Sequence, residues 1–233
     1  MFFQQTRLRA SISTIYLTLK RIRYSYQVIP YRHPQQKSNL VDVIEFIERT
    51  NELPPRQILS TDESDFPLNL TLRKEWNLKG QKIADFNKHY AINYSLILLI
   101  RNVENKGIIH AELCDGTVDT EVFINFLNNI ELPTDEKYYL LLDRLSSHKA
   151  EKVKELLVSK NIEPRYIVAC NPYLNLVEEV FNVIKSYVKS CRPTTEEELS
   201  DVLSKIIDIL QKKDLRKYFK DCLDFDFVYK SRN

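Results

Sequence analysis

The sequence is poor in glycine and lacks several features that mark common classes of protein. Only three of its 233 residues are glycine, and no Walker or dinucleotide-type loop is present, which excludes the usual nucleotide-binding cradles. The four cysteines show no CxxC pairing and no histidine at zinc-finger spacing, so a zinc site is not expected. Neither a signal peptide nor an apolar run of membrane-spanning length is recognisable. We therefore expect an intracellular protein without a membrane partner, cytoplasmic in a prokaryote or nuclear in a eukaryote.

Acidic residues are absent from the first 41 positions, which hold seven Lys and Arg side chains. The rest of the chain carries 27 Lys and Arg against 32 Asp and Glu, so a basic arm precedes a mildly acidic body. Such an arm favours a polyanion partner, although a solvated basic surface explains the charge equally well. Within the arm, apolar residues at helical spacing predict a helix capped by Ser11 or Ser13, with basic side chains on its other face.

Beyond Pro54 the pattern changes from helical to strand-like. Five apolar segments predict strands: 57–61, 94–101, 107–113, 138–142 and 166–168. Amphipathic or capped segments predict helices that begin near Ser38, Thr120, His148, Asn175 and Glu196. Strands followed by alternating strands and helices are typical of a mixed sheet covered by helices. The sequence therefore predicts an α/β fold with helices on both faces of the sheet, preceded by a short helical N-terminal remnant.

Two of the predicted strands end at a carboxylate. Asp62 follows the first strand and Asp143 follows the fourth, while Glu178 lies in the first turn of a predicted helix. The carboxyl ends of strands converge on the crevice where α/β sheets bind ligands, and three oxygen ligands there favour Mg²⁺ or Mn²⁺. Taken singly, each acid has a simpler explanation. Either Asp could end a strand, and Glu178 could complete a capping box with Asn175.

Three segments around these acids resemble the mariner-like transposases and their bacterial insertion-sequence relatives. They are STDESDF (60–66), LLLDRLSSHKA (140–150) and NPYLNLVEEVFNVIK (171–185). Thirty-four residues separate Asp143 from Glu178, which is the spacing of the branch of that family with a terminal Glu. Two further segments fit the family: 72–82 is similar to its Trp-containing β-turn, and 116–127 to its strand-to-helix insert.

The resemblance implies an RNase H-like DDE endonuclease that cuts transposon ends and transfers them into target DNA. Its cofactor would be Mg²⁺, for which Mn²⁺ can substitute. Asp62, Asp143 and Glu178 would be the catalytic residues and metal ligands. His148 would support them by ordering the loop or, alternatively, would face solvent at the start of a helix. DNA contacts are expected from Lys20, Arg21, Arg23 and Arg144. Both a homodimer and a monomer are compatible with the sequence.

We expect three parts in the chain. Residues 1–37 would be the basic remnant of a helix-turn-helix region and its linker, 38–192 the RNase H-like DDE endonuclease domain, and 193–233 a C-terminal helical segment packed on the core. The N-terminal region is shortened to about its last helix. Arg144 replaces the family's Asn beside the second Asp, and we expect its guanidinium to point away from the carboxylates.

These departures from the family favour an alternative function. The chain would then be a catalytically weakened, transposase-derived DNA-binding or interaction protein. A third hypothesis is another RNase H-like nuclease that acts on RNA hybrids or junctions. The segment around Glu178 and the thirty-four-residue spacing argue against that third hypothesis.

Overall fold

The computed structural model describes residues 11–22, 39–68 and 92–224, and the chain divides into two compact units, Met1–Pro34 and Gln35–Asn233. In the first unit, helix α1 spans Ile12–Arg21. The Ser11 hydroxyl caps α1 by accepting a hydrogen bond from the Thr14 amide at 3.1 Å, which confirms the predicted start of this helix. Three predicted features lie outside the described residues: Arg23, the cap at Ser38 and the segment 72–82.

Within the described part of the second unit, five strands form one mixed sheet in the order β3-β2-β1-β4-β5. The strands are β1 Ile58–Pro67, β2 Asn93–Arg101, β3 Ile108–Asp115, β4 Tyr138–Leu142 and β5 Ile162–Tyr166. Strands β1, β2 and β3 are antiparallel neighbours, whereas β4 and β5 run parallel to β1. The predicted mixed sheet is therefore confirmed, with Asp62 in its first strand and Asp143 directly after its fourth.

Helices cover both faces of this sheet. They are α2 Leu40–Asn51, α3 Thr120–Asn128, α4 Glu151–Ser159, α5 Leu176–Cys191, α6 Glu196–Gln211 and α7 Arg216–Cys222. Successive side chains of a strand point to opposite faces, so β2 contributes to two separate cores. Leu96 and Leu98 pack with α5, α6 and α7, which we call the front face. Ile97 and Leu99 pack with α3 and α4 on the back face.

Helix α5 is fixed firmly against the front face. Its apolar residues recur at spacings of three and four, and they are at most 1% exposed: Leu176, Val177, Val180, Phe181, Ile184 and Val188. Each such side chain stabilises the packing by about 1.5–3 kcal/mol. The helix ends at Arg192, which adopts the left-handed conformation. The first turn of α5, which carries Glu178, is therefore held by a buried core.

Strand β1 is longer than the sequence predicted. It continues through Asp62 to Pro67 because β2 pairs with it along this whole length, as far as Pro67 with Asn93. On its other side, β4 pairs only with residues 58–60 of β1. The apolar pattern stops at Asp62 because, among the described residues, no strand pairs with that flank of β1 from there on. The end of an apolar run was mistaken for the end of the strand.

Two other predicted boundaries differ from the structure. Strand β5 spans Ile162–Tyr166, earlier than the predicted 166–168, because an edge strand is half-exposed and carries no apolar run. The apolar Ile167 and Val168 instead pack in a small core with α2. The helix predicted from His148 begins as a 3₁₀ turn, Ser147–Lys149, before α4 starts at Glu151.

The start of α6 was predicted correctly. The Thr195 hydroxyl accepts a hydrogen bond from the Glu198 amide at 3.2 Å. The Glu198 carboxylate accepts one from the Thr194 amide at 2.8 Å, so the capping box closes one residue earlier than its usual pairing. Among the described helices, none has the length and apolar character that crossing a membrane requires.

Candidate active site

The register of the sheet places Asp62 and Asp143 side by side. The last parallel pair between β1 and β4 is Ser60 with Leu141, and each Asp lies two residues beyond its member of that pair. Neighbouring strands are about 4.8 Å apart. The prediction that both acids reach the same edge is thus supported, although Asp62 lies inside β1 rather than at its end.

Asp62 lies on the front face, in the same environment as the start of α5. Its Oδ2 accepts a hydrogen bond from Nδ2 of Asn175, the residue before α5, at 2.6 Å. Burial raises the pKa of Asp62 to about 7, and the negative charges of Glu63, Glu178 and Asp143 add to the rise. The ionised form of Asp62 is therefore destabilised, and the negative charges of both other predicted ligands contribute to this.

Glu178 does not form the capping box that would have explained it without a catalytic role. The Asn175 side chain makes no cap; its Nδ2 donates to Asp62, and its Oδ1 accepts no hydrogen bond from the first turn of α5. The Asn175 backbone amide already donates to the Pro172 carbonyl at 2.9 Å, so it does not need the Glu178 carboxylate. Burial raises the pKa of Glu178, against the lowering effect of Lys185. Its carboxylate remains available to the crevice beside Asp62.

Asp143 is held from the opposite side. Its Oδ1 accepts hydrogen bonds from the Leu145 amide at 3.0 Å and from Nδ1 of His148 at 2.7 Å. Burial alone would raise the pKa of Asp143, but these hydrogen bonds and the charge of His148 outweigh it, so the pKa is lowered. At neutral pH Asp143 is therefore ionised, whereas Asp62 is only partly ionised. The carboxylates of the site differ because their partners differ.

His148 is a buried residue, so the alternative that it faces solvent is wrong. It has no exposed surface, and its ring packs on Phe123 with the ring centroids 4.3 Å apart. Its Nε2 lies 3.4 Å from Oε2 of Glu63, without the alignment of a hydrogen bond. Burial would lower the pKa of His148, but the carboxylates of Asp143 and Glu63 raise it to about 9. The imidazole is therefore a cation between two carboxylates.

Arg144 is directed away from this cluster. Its Nε donates to the carbonyl of Ile167 at 3.1 Å, on the β5 side of the loop. There it lines a cavity of about 370 Å³ together with the α2 residues Asp42 and Glu45. The permanent charge that replaces the family's neutral Asn is thus anchored beside β5 and α2.

Lys20 and Arg21, the predicted DNA-binding residues of the first unit that the structure describes, are solvent-exposed. Lys20 and Arg21 occupy the last turn of α1, and Lys20 lies over the ring of Tyr16, 5.5 Å from its centroid. Sequence reasoning missed two residues of the site, Asn175 and Glu63. Both lie within the family-like segments, but their partners, Asp62 for Asn175 and His148 for Glu63, are distant along the chain and are seen only in the folded structure.

The oxygen-rich donor set suits a hard divalent cation. Among the residues that the structure describes, no three acidic, His or Cys side chains form a ready-made metal cluster. Beside Asp62, however, the buried Oδ1 of Asn175 has no hydrogen-bond partner in the described structure. A buried acceptor without a donor, next to a carboxylate with a raised pKa, would be stabilised by a cation. The chemistry of these residues therefore fits Mg²⁺ or Mn²⁺.

A family model described as DDE superfamily endonuclease matches residues 57–200, which is more than half of the chain. The chain belongs to the DDE superfamily of endonucleases. The match contains all three predicted catalytic acids, together with Glu63, His148 and Asn175. A search of curated proteins found no match.

Solved structures of the Mos1 transposase share the fold. The Mos1 transposase paired-end complex with left transposon end has a TM-score of 0.75 at 16% identity, and the match covers 99% of this chain and 76% of that chain. The Mos1 mariner paired end complex with Mn gives 0.76 at 17%, covering 99% and 72%. The catalytic domain of Mos1 mariner transposase gives 0.66 at 17%, covering 88% and 98%. These similarities confirm the expected RNase H-like fold.

Proposed function

We propose that the chain is a transposase catalytic domain that cleaves DNA and transfers the cut ends with a divalent metal. The observation that carries the proposal is the state of Asp62. Asp62 is partly buried, and this burial raises its pKa, with the negative charges of Glu63, Glu178 and Asp143 adding to the rise. Asn175 holds the carboxylate by a hydrogen bond. Burying a carboxylate among other carboxylates costs stability, and a function that requires a cation accounts for that cost.

Each residue has a defined role in this proposal. Asp62, Asp143 and Glu178 would hold Mg²⁺, or Mn²⁺ in its place. The metal would activate the attacking oxygen and stabilise the leaving oxygen of the phosphodiester. Asn175 orients Asp62 through its amide, and His148 orients Asp143 through Nδ1. The side chains thereby reach the crevice from both faces of the sheet.

DNA is the proposed partner, both as transposon ends and as target. The Mos1 structures that share the fold include complexes with a transposon end. In this chain, Lys20 and Arg21 are exposed on α1, and Arg144 is exposed near the site. Such side chains contact phosphates without selecting a sequence. A homodimer stays a prediction, which light scattering of the full chain with and without DNA would test.

A second candidate function is that of a DNA-binding or interaction protein without catalysis. Two observations favour it: Arg144 replaces a neutral residue beside Asp143, and the described residues contain no ready-made metal cluster. Both functions require the same fold. They differ in whether the carboxylates do chemistry on DNA.

Nicking of supercoiled plasmid in Mn²⁺ separates the two functions. The full chain should nick, and Glu178→Gln, which keeps the shape and removes the charge, should lose at least about 100-fold of that activity. EDTA should abolish nicking by the native chain. Nicking that persists equally in Glu178→Gln would exclude Glu178 from catalysis. No nicking by either protein would contradict the catalytic proposal and favour the second.

A further inference from the structure

Glu63 and His148 approach Asp143 from the back face of the sheet. Asp62 pairs with Leu98, which packs on the front face, whereas Glu63 pairs with Ile97, which packs on the back face with Phe123. His148 packs against Phe123 and contacts Asp143 and Glu63 through its two ring nitrogens. Glu63 and His148 thus connect the back core to Asp143, the predicted metal ligand.

Packing alone does not explain these polar side chains. His148 is fully buried and the Glu63 side chain is only 19% exposed. Removing two such groups from water is costly, and apolar side chains of similar volume often serve a core at least as well. The back core that they adjoin is formed mainly by apolar side chains such as Phe123, Phe126 and Leu99. What the polar pair adds is a directed hydrogen bond to Asp143.

We infer that Glu63 is a positioning residue that acts through His148 to fix the carboxylate of Asp143 for metal binding. This inference rests on the proposed function. Glu63 holds the ring so that Nδ1–H points at Oδ1 of Asp143, at 2.7 Å. The Leu145 amide binds the same oxygen, so the carboxylate is restrained at Oδ1, and Oδ2 accepts no hydrogen bond from the side chains and amides that the structure describes. Partners of this kind set the orientation and basicity of metal ligands.

Two substitutions of His148 separate its two contacts. Asn reproduces the position of Nδ1 and can still donate to Asp143, whereas Gln reproduces Nε2 and reaches only toward Glu63. We expect His148→Asn to keep the dissociation constant for Mn²⁺ within about threefold of the native value and His148→Gln to raise it about tenfold or more. Calorimetric titration of the full chain with Mn²⁺ alone gives both values.

Substitutions of Glu63 test the outer contact. Glu63→Gln keeps an oxygen that can face Nε2, so its Mn²⁺ affinity should stay within about threefold of native, whereas Glu63→Leu should weaken it about tenfold. The matched control is Glu112→Leu. Glu112 lies 3.5 Å from His110, whose ring packs on Phe126 in the same back core, but this pair has no recorded contact with Asp143. It should leave the Mn²⁺ affinity within about twofold, whatever it does to the melting temperature in EDTA.

The outcomes separate this inference from the proposed function. Equal Mn²⁺ affinity in Glu63→Leu and Glu112→Leu would overturn the positioning role, provided that Asp143→Asn still weakens binding. The metal site itself would then stand. If the native chain bound no Mn²⁺, or if Asp143→Asn bound it as tightly as native, both the metal site and the positioning role would fail. Weakening by Glu63→Leu with rescue in Glu63→Gln supports the inference.

Discussion

At the scale of single residues, the three acids of the site differ in the cost of being ionised. Burial and neighbouring charge raise the pKa of Asp62 to about 7, while hydrogen bonds from His148 and Leu145 lower the pKa of Asp143. Glu178 is raised by burial. Divergent pKa values among close acids are common at functional sites, because burial and neighbouring charges there shift the pKa of each group differently.

Replacing Asp62 by Asn should stabilise the metal-free chain at pH 8. The pKa of Asp62 is raised from 3.8 to about 7 in the folded chain. The contribution of Asp62 to the free energy of unfolding is therefore fully present below pH 3.8 and is lost as the pH rises from there through 7. Asp62→Asn does not titrate, so in EDTA its advantage in melting temperature should shrink as the pH falls from 7 to 4. Thermal melts at four pH values measure this. A less stable Asp62→Asn at pH 8 would show that the charge is not costly.

Replacing Arg144 by Asn should leave the metal site unchanged. The guanidinium is anchored to the Ile167 carbonyl, and exposed charges are strongly screened by solvent and salt. The dissociation constant for Mn²⁺ should therefore change by less than about twofold. If Arg144 contacts a phosphate, Arg144→Asn should reduce the number of counterions released on DNA binding, measured from the salt slope, by about one. Tighter Mn²⁺ binding in Arg144→Asn would instead place its charge in the site.

At the scale of elements, two of the three acids, Asp62 and Glu178, depend on strand β1 and helix α5, whose limits are set independently. Strand β1 extends past Asp62 because β2 supports it, and it leaves Asp62 open where β4 ends. Helix α5 presents Asn175 and Glu178 from a start that its buried face holds against β1. Helix α6 packs behind α5 and is fixed at its own N-terminus by Thr195.

Removing the α6 cap should destabilise the fold without weakening metal binding. Thr195→Ala leaves the Glu198 amide without its acceptor and should cost about 1 kcal/mol in the free energy of unfolding. Thr194→Ala keeps the backbone amide that binds Glu198 and should cost less than half as much, about 0.5 kcal/mol or below. Urea unfolding measures both, and Mn²⁺ titration of Thr195→Ala should match native. A changed Mn²⁺ affinity would show that α6 controls the site.

At the scale of the whole molecule, most of the N-terminal basic residues and the predicted catalytic residues belong to different units. Of the seven basic side chains in the first 41 residues, six lie in the first unit and Lys37 lies in the second. The site itself is built by residues 58–178 of the second unit. We therefore expect attraction to DNA and chemistry on DNA to be separable in this chain.

Deleting residues 1–37 should remove most of the DNA affinity. Binding by the full chain should be largely independent of sequence and should weaken at least about tenfold between 50 and 200 mM salt, because Lys and Arg release counterions from phosphates. Fluorescence anisotropy with a labelled duplex at several salt concentrations measures this for both proteins. Undiminished affinity of the deletion protein would assign the contact to the crevice of the second unit. Retained nicking at low salt would show that the catalytic unit is intact.

The sequence by itself determined the class of fold and most of the elements around the site, and it predicted the three acids. Apolar runs of strand length predicted β4 and its end before Asp143, and the amphipathic pattern from about Asn175 predicted α5, because periodicity reports directly which side chains are buried. The family-like segments identified which acids to group. The limit of β1 and the place of β5 were wrong, since a strand beside an open flank or at a sheet edge loses the apolar pattern that marks it.

Only the tertiary structure decided what each acid contacts. Asn175 lies 113 positions from Asp62 in the chain, and its amide binds that carboxylate instead of capping its own helix. Glu63 and His148 meet across the back core, and nothing in their local sequence distinguishes a buried imidazole from a solvated one. Such contacts join residues that are distant along the chain, and their geometry follows from the packing of both faces of the sheet. The local sequence pattern therefore does not predict these contacts.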